Sequence, residues 1–397
     1  MNYSKKAEMV KESSTLAITA KAKALREAGR NVISFSIGEP DFNTPGHIVE
    51  AAKKALDAGF TKYTDSSGIL KLREAICGKL QRENGLSYKP GQIVVANGAK
   101  HAISNACLAI LNEGDEVIIP APYWLTYPEV VALSGGVPVV AQTDKKSGYK
   151  ISPAQLEAAI TPKTKALFLN SPNNPSGSVY TEEELRAIAE VVCRRGLIVI
   201  SDEIYEHLIY VPGLKHISIA SFNEDIFNRT IVINGLSKSY AMTGWRMGYT
   251  ASNQELAKIM GNIQSHQTSN INSVTQQASI AAIDGDQQPL RDMLAQFAKR
   301  REYIASRLMG IKGFDMDMPA GAFYAFIDIS EMCGKAKGIS VTNASDFAAE
   351  LIAKKGVAIV PCADFGCDMH IRLSYAMSTE DITEGVDRIE AFVSEYW

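Results

Sequence analysis

The strongest constraint on this chain is a series of six short apolar runs through its middle. They are Ile93–Val95, Val117–Ile119, Val137–Ala141, Ala166–Leu169, Leu197–Ile200 and Ile231–Ile233. Each is nearly continuous in apolar residues, many of them β-branched. That pattern belongs to strands buried on both faces, because a strand with one wet face alternates polar and apolar side chains. Helix-like stretches separate most of the runs. One opens at Thr181, with Glu184 at capping-box spacing. Leu185, Ile188, Ala189 and Val192 then share one helical face. Strand and helix in alternation predict an α/β fold in three layers, a mainly parallel sheet covered by helices.

A chain of 397 residues exceeds one ordinary core, at roughly 150 residues per domain. Residues 46–290 hold the alternating pattern and form the expected large domain. From Asp292 onward a long charged helix, the stretch Gly321–Ile329, the stretch Phe347–Lys355 and the alternating His370–Ser374 predict a smaller α+β domain over 291–397. Residues 1–45 are expected to join it from the other chain end. Their first thirty residues look like one basic helix, with Ala22, Leu25 and Ala28 periodic and Gly29 as the stop.

Composition excludes several classes. Net charge is −3, so there is no basic excess for nucleic acid. No apolar run reaches the ~18 residues of a membrane span. Met1 to Ser14 is charged and lacks the apolar stretch of a signal peptide, so a cytoplasmic protein is expected. Six cysteines in a chain this long are not a disulfide framework. Cys362, Cys367 and His370 lie near one another in sequence but lack a fourth ligand, and no metal is expected.

In a parallel sheet, ligands bind beyond the carboxyl ends of the strands. After Val95 come Asn97-Gly98-Ala99-Lys100, a glycine turn opening a helix, which is an anion cradle. After Leu169 comes the tight polar loop Asn170 to Gly177. After Ile200 come Ser201-Asp202-Glu203-Ile204-Tyr205, and after Ile233 come Asn234 to Lys238 and then Arg246. Singly these are weak signals. Asp202 could be a helix cap, Lys238 a surface lysine and Arg246 a salt-bridge partner. Together they supply a lysine, a carboxylate, an arginine and a cradle at adjacent strand ends. The dinucleotide, P-loop, zinc-protease and nucleophile-elbow motifs are absent. The set suits pyridoxal phosphate, which needs a lysine amine, an acid for its pyridine nitrogen and a phosphate site.

The segments Ser36 to Phe42, Lys62-Tyr63, Pro122-Tyr123-Trp124, Ser171 to Gly177, Ser201 to Tyr205 and Ser237-Lys238 to Arg246 resemble fold-type I aminotransferases. More narrowly, they resemble the bacterial branch of the aspartate aminotransferases, over essentially the whole chain and in order. The resemblance implies that Lys238 carries the cofactor as a Schiff base and that Asp202 pairs with the pyridine nitrogen. Tyr205 and Asn174 would hydrogen-bond the ring oxygen, and Trp124 would stack on the ring. Arg246, Ser237 and the N–H groups at Gly98 and Ala99 would hold the phosphate. Tyr63 would reach the phosphate of a neighbouring subunit, which implies a homodimer with shared sites. Arg372 would clamp the substrate α-carboxylate, with Gly38 against it.

Three departures matter, and the third bears on substrate. The phosphate loop reads Gly98-Ala99-Lys100 where hydroxyl residues are common. Gly235 stands where another branch has serine. Between Gln264 and Gln277 there is no arginine of the kind the animal branch uses for a second carboxylate. In the bacterial branch a lysine of the phosphate loop does that work, and Lys100 matches it; its simpler reading is neutralisation of the phosphate. Ser14 and Thr15 are weaker candidates, since such a pair before a helix is more often a cap. The resemblance implies reversible amino transfer between L-aspartate and 2-oxoglutarate. Aromatic, prephenate or alanine aminotransferases and a carbon–sulfur lyase share the scaffold and stay open. A cofactor-sensing regulator would need a DNA-binding segment, and none is evident.

Overall fold

The computed structural model describes residues 3–8 and 10–397. Among these, twelve strands form three sheets. The first, β1 (Ile33–Ser34), belongs to a two-stranded sheet. The seven-stranded sheet contains β2 (Ile93–Ala96), β3 (Glu116–Pro120), β4 (Val137–Ala141), β5 (Thr164–Asn170), β6 (Ile198–Asp202), β7 (Thr230–Gly235) and β8 (Gly248–Ala251). The chain ends supply β9 (Tyr324–Asp328), β10 (Val357–Ala358), β11 (Val360–Pro361) and β12 (His370–Ser374).

The large sheet runs β2-β8-β7-β6-β5-β3-β4. All of the expected apolar runs are in it, and β7-β6-β5-β3-β4 pair in parallel. Two details depart from the sequence reading. β4 lies at an edge, and its Val137 and Val140 are exposed rather than covered on both faces. β8 was not foreseen. Its four residues, Gly-Tyr-Thr-Ala, make no apolar run, and it is antiparallel to both β7 and β2. A parallel strand would need a helical crossover, whereas an antiparallel one returns by a loop. The loop 236–247 therefore leaves and re-enters at one edge of the sheet.

The helix at Thr181 forms as expected over Glu182–Arg195. Thr181 accepts from the Glu184 N–H, Glu184 accepts from the Thr181 N–H, and Gly196 closes it in the left-handed conformation. Leu185, Ile188, Ala189 and Val192 are buried.

The N-terminus differs from the single helix expected. Helices span Lys5–Glu8 and Ser14–Glu27, with a break between them. Met1, Asn2 and Met9 lie outside the described residues. The break has a local cause: Ser13, not Ser14 or Thr15, is the cap, its hydroxyl accepting from the Leu16 N–H at 3.4 Å. The Lys11 N–H donates to Glu129 at 3.2 Å and ties this stretch to the Thr126–Leu133 helix.

β1 pairs in parallel with β10, and the N–H of Ser374 donates to the carbonyl of Phe35 at 2.9 Å. The two chain ends are thereby joined, and the chain beyond β1 passes beside β12.

Gly248 opens β8 where it crosses the start of the Ala99–Ile110 helix. A Cβ there would overlap the Ala99 nitrogen and the Gly98 carbonyl carbon. We expect Gly248→Ala to destabilise the protein by about 1–3 kcal/mol, read as a lower urea midpoint at unchanged slope. A wild-type midpoint would show that the close approach is not needed.

Candidate active site

The site is built at the carboxyl edge of the parallel strands. β5 ends at Asn170 and β6 at Asp202, paired side by side. The Asn170 side chain donates to the Asp202 carbonyl and accepts the Asn174 N–H, both at 2.9 Å. Asp202 is buried, which pushes its carboxyl up to about 6. Two donors resist the rise: the Tyr127 hydroxyl at 2.7 Å and the Ile204 N–H at 3.2 Å. Tyr127 is itself held by stacking on Phe168, centroids 4.5 Å apart.

The turn after Asp202 is pinned from behind by two buried carboxylates. Glu203 accepts from Ser201, Ser218 and His216 at 2.9, 2.6 and 3.0 Å. Glu206 is paired with Lys79 and accepts from Asn234 at 2.7 Å. Burial would raise the Glu206 carboxyl, but Lys79 and two histidines outweigh it and hold it well below the usual range. Asn234 also takes the Gly235 N–H at 2.7 Å, so one network spans the Tyr205 turn and the strand leading to Lys238.

Because β8 is antiparallel, Arg246 returns to the edge from which Lys238 departs. Its guanidinium covers Gly98, whose φ of +87° and missing side chain make room; a Cβ on Gly98 would strike that guanidinium. Arg246 itself adopts a left-handed φ of +57°, a strained backbone of a kind that clusters at functional sites. Lys100 lies over the Trp124 ring at 4.8 Å, and burial followed by the neighbouring Arg246 lowers its amine.

The Lys238 amine donates to the Gly38 carbonyl at 2.6 Å. Burial lowers it to about 8; Glu39 opposes the shift, while Arg372 and Arg246 add to it. Arg372 is 2% exposed. It donates to Asn174 at 3.0 Å and to the Ser36 carbonyl at 3.1 Å, but its Nε has no hydrogen-bond partner among the described residues. A buried guanidinium with an unmet N–H is costly and suits an incoming anion.

These groups line one cavity of about 370 Å³. Of the residues given cofactor or substrate roles in the sequence, all but Gly98 and Tyr63 line it. Gly98 lies beneath Arg246. Tyr63 is 90% exposed and away from the cavity of its own chain. Thr15 lines the cavity with Ser13 and Leu16, and the Thr15 and Ser14 hydroxyls are buried without partners among the described residues. Charges of the described lining residues are unbalanced: Lys100, Lys238, Arg246 and Arg372 stand against Asp202, with Glu39 near Lys238 but outside the lining. Gly38 has a neighbour that the sequence did not suggest, since a Cβ there would lie 2.9 Å from the Tyr324 hydroxyl.

Tyr127 and Tyr324 also line the cavity and were missed. Tyr127 follows the quoted Pro122-Tyr123-Trp124 by three residues, and its place on a helix beside Trp124 was the available signal. Tyr324 lies inside the stretch Gly321–Ile329 assigned to the smaller domain, and nothing local marks it.

Fold and edge together place the chain among α/β enzymes with a mainly parallel sheet. The family model for aminotransferases of class I and II matches residues 30–389, and the chain belongs to that family. It is 46% identical over 396 residues to the aspartate aminotransferase of Bacillus subtilis (strain 168), covering 100% of each chain. It is 47% identical over 386 residues to the aspartate/prephenate aminotransferase of Cereibacter sphaeroides, covering 96% of each. The solved structure of the aspartate aminotransferase from Rhizobium meliloti superposes with a TM-score of 0.97 at 40% identity, covering 100% of both chains.

The lowered Lys238 amine has a direct consequence. Below pH 8 it is protonated and has no lone pair; above pH 8 it is neutral and nucleophilic. In the ligand-free protein, reaction of Lys238 with an aldehyde probe should rise with pH, be half-maximal near pH 8 and level off before about pH 10. An ordinary lysine levels off only above about 10.4. A profile still climbing at about pH 10 would contradict this reading of the site.

Proposed function

We propose that this protein is a pyridoxal-phosphate-dependent aminotransferase that moves an amino group reversibly between L-aspartate and 2-oxoglutarate, giving oxaloacetate and L-glutamate. The observation that carries the reading is the charge pattern of the cavity: three cations and one buried carboxylate around Lys238, whose own amine is lowered toward neutrality. A phosphate dianion and a substrate carboxylate match that excess. The full-length likeness to proteins named aspartate aminotransferase supports the same substrate.

Bound pyridoxal phosphate supplies an electron sink conjugated to the substrate nitrogen. The residues divide the remaining work. Lys238 would hold the cofactor through its amine and would move the proton at the substrate Cα as a general base. Asp202, a stronger base than an exposed aspartate, holds a proton at the ring nitrogen. Tyr205 and Asn174 would hold the ring oxygen as donors, and Trp124 would hold the ring by packing. Arg246, Ser237 and the N–H groups at Gly98 and Ala99 bind the phosphate at the start of a helix. Arg372, with Gly38 beside it, orients the α-carboxylate through a two-pronged grip. Lys100 takes the distal carboxylate. Tyr63 reaches the phosphate of a neighbouring subunit, so the working unit is a homodimer. Residues 46–290 carry the cofactor, and residues 1–45 with 291–397 form the smaller domain that presents Arg372.

The decisive test is spectroscopic. L-Aspartate alone should bleach the visible band of the cofactor-loaded protein, and 2-oxoglutarate should restore it. L-Alanine and L-phenylalanine run in parallel; a rapid response to either but not to aspartate would move the substrate assignment. The Cereibacter likeness favours prephenate as a second amino acceptor, tested in the same assay.

Lys238→Ala should lower turnover by at least about 10²-fold, the range of a lost general base, while the protein still binds pyridoxal phosphate by equilibrium dialysis. Normal turnover would end this assignment. Lys100→Ala should lower kcat/KM for aspartate by about 10- to 100-fold, the range of a lost charge-assisted hydrogen bond, and leave alanine nearly unchanged. Equal losses on both would reduce Lys100 to a phosphate neighbour.

A further inference from the structure

Tyr324 belongs to β9, opposite Ser374 of β12, so it shares a sheet face with Arg372 one diagonal step away. It is buried at 1% exposure. Its ring lies 4.4 Å from the Arg372 guanidinium carbon, and the Phe365 ring lies 5.2 Å from the same carbon. Its hydroxyl is 2.9 Å from the Tyr205 hydroxyl. Room for that hydroxyl exists because residue 38 is glycine. One side chain therefore touches both the proposed donor to the cofactor ring and the proposed clamp for the substrate carboxylate.

We propose that Tyr324 is a positioning residue for both halves of the site: its hydroxyl directs the proton of Tyr205 into the cavity, and its ring seats Arg372. This rests on the pyridoxal phosphate reading given above. The direction follows from proton counting. Tyr205 has one proton. When that proton points at an anionic ring oxygen, Tyr205 can only accept from Tyr324. Donation by Tyr324 polarises Tyr205 and makes it a stronger donor. A stronger donor draws charge onto the ring oxygen and away from the neighbouring nitrogen proton, which is then lost at lower pH. The other charged groups facing this pair are Arg372 from β12, Asp202 at the end of β6 and Lys238, 6.0 Å from the Tyr205 ring centre. None of them is altered by removing the Tyr324 hydroxyl.

The ring acts separately from the hydroxyl. A guanidinium over an aromatic face is held by the ring quadrupole. Arg372 gains no carboxylate partner from this, and its Nε stays free for a ligand.

Two variants of the cofactor-loaded protein separate these roles. Tyr324→Phe keeps the ring and removes the hydroxyl. The pH at which the visible band of the lysine-linked cofactor shifts should rise by about 0.5 unit. Affinity for succinate, an unreactive dicarboxylate read by its perturbation of the same band, should stay within about twofold, because the ring over Arg372 remains. Tyr324→Leu removes both groups, and succinate should bind about 3- to 30-fold more weakly than to Tyr324→Phe. A Tyr324→Phe band that shifts at the wild-type pH, or equal succinate affinities for the two variants, would overturn the proposal while leaving the cofactor reading intact. A wild-type protein with no visible band after incubation with pyridoxal phosphate would overturn the cofactor reading itself, and the proposal with it.

Discussion

Parallel pairing of β5, β6 and β7 is the constraint on which the site depends. Parallel strands send their carboxyl ends to one edge, so Asn170, Asp202 and the loop after Gly235 emerge together. Three loops far apart in sequence then share a rim about 10 Å wide, the span of three neighbouring strands. The single antiparallel insertion, β8, preserves this arrangement. It brings Arg246 back to the same rim and seats Gly248 against the Gly98 turn, so Lys238 and the anion cradle are set by one short excursion of the chain.

The charges gathered there are unfavourable without a ligand. Four cations line a cavity with one carboxylate, one lysine amine is lowered by burial, and one guanidinium keeps an unmet N–H. Such an arrangement persists only because the surrounding structure over-determines it. The buried network of Glu203, Glu206, Lys79, Asn234 and His216 does this behind the Asp202 turn, where every carboxylate is matched by donors. The site is thus rigid at its back and under-neutralised at its front, which is the condition for selecting anionic ligands over water. A ligand that supplies negative charge stabilises the folded state by mass action as well as by contact.

Much of this was legible in the sequence. The six apolar runs are strands, the Thr181 box opens its helix, and Lys100, Asn170, Asn174, Asp202, Tyr205, Ser237 and Lys238 after the run ends line the cavity. These features are local: continuous apolar runs report burial, and a cap reports a helix start within a few residues. What escaped notice was also physical. β8 makes no apolar run because Gly248 sits against a helix start where a side chain does not fit and the buried Thr250 interrupts Tyr249 and Ala251 of the core. Ser13 replaced its neighbours as cap because adjacent hydroxyls offer nearly equivalent local signals. Tyr324 was invisible because nothing within its own strand distinguishes a ring beneath an arginine from an ordinary core aromatic.

By itself, then, the sequence determined most of the large sheet's strands and the Thr181 helix, the chemistry of the loops at the strand ends and the family to which those motifs belong. Only the tertiary structure decided which side chains meet. Lys238 and Gly38 are 200 residues apart, Arg372 and Asn174 are 198 apart, and Tyr205 and Tyr324 are 119 apart. Contacts at such separations carry no local signature, because their energy is realised only after long loops close and the layers pack. The sheet order, the reversed direction of β8 and the seat of Arg372 on Tyr324 are consequences of that packing and of no single stretch of the chain.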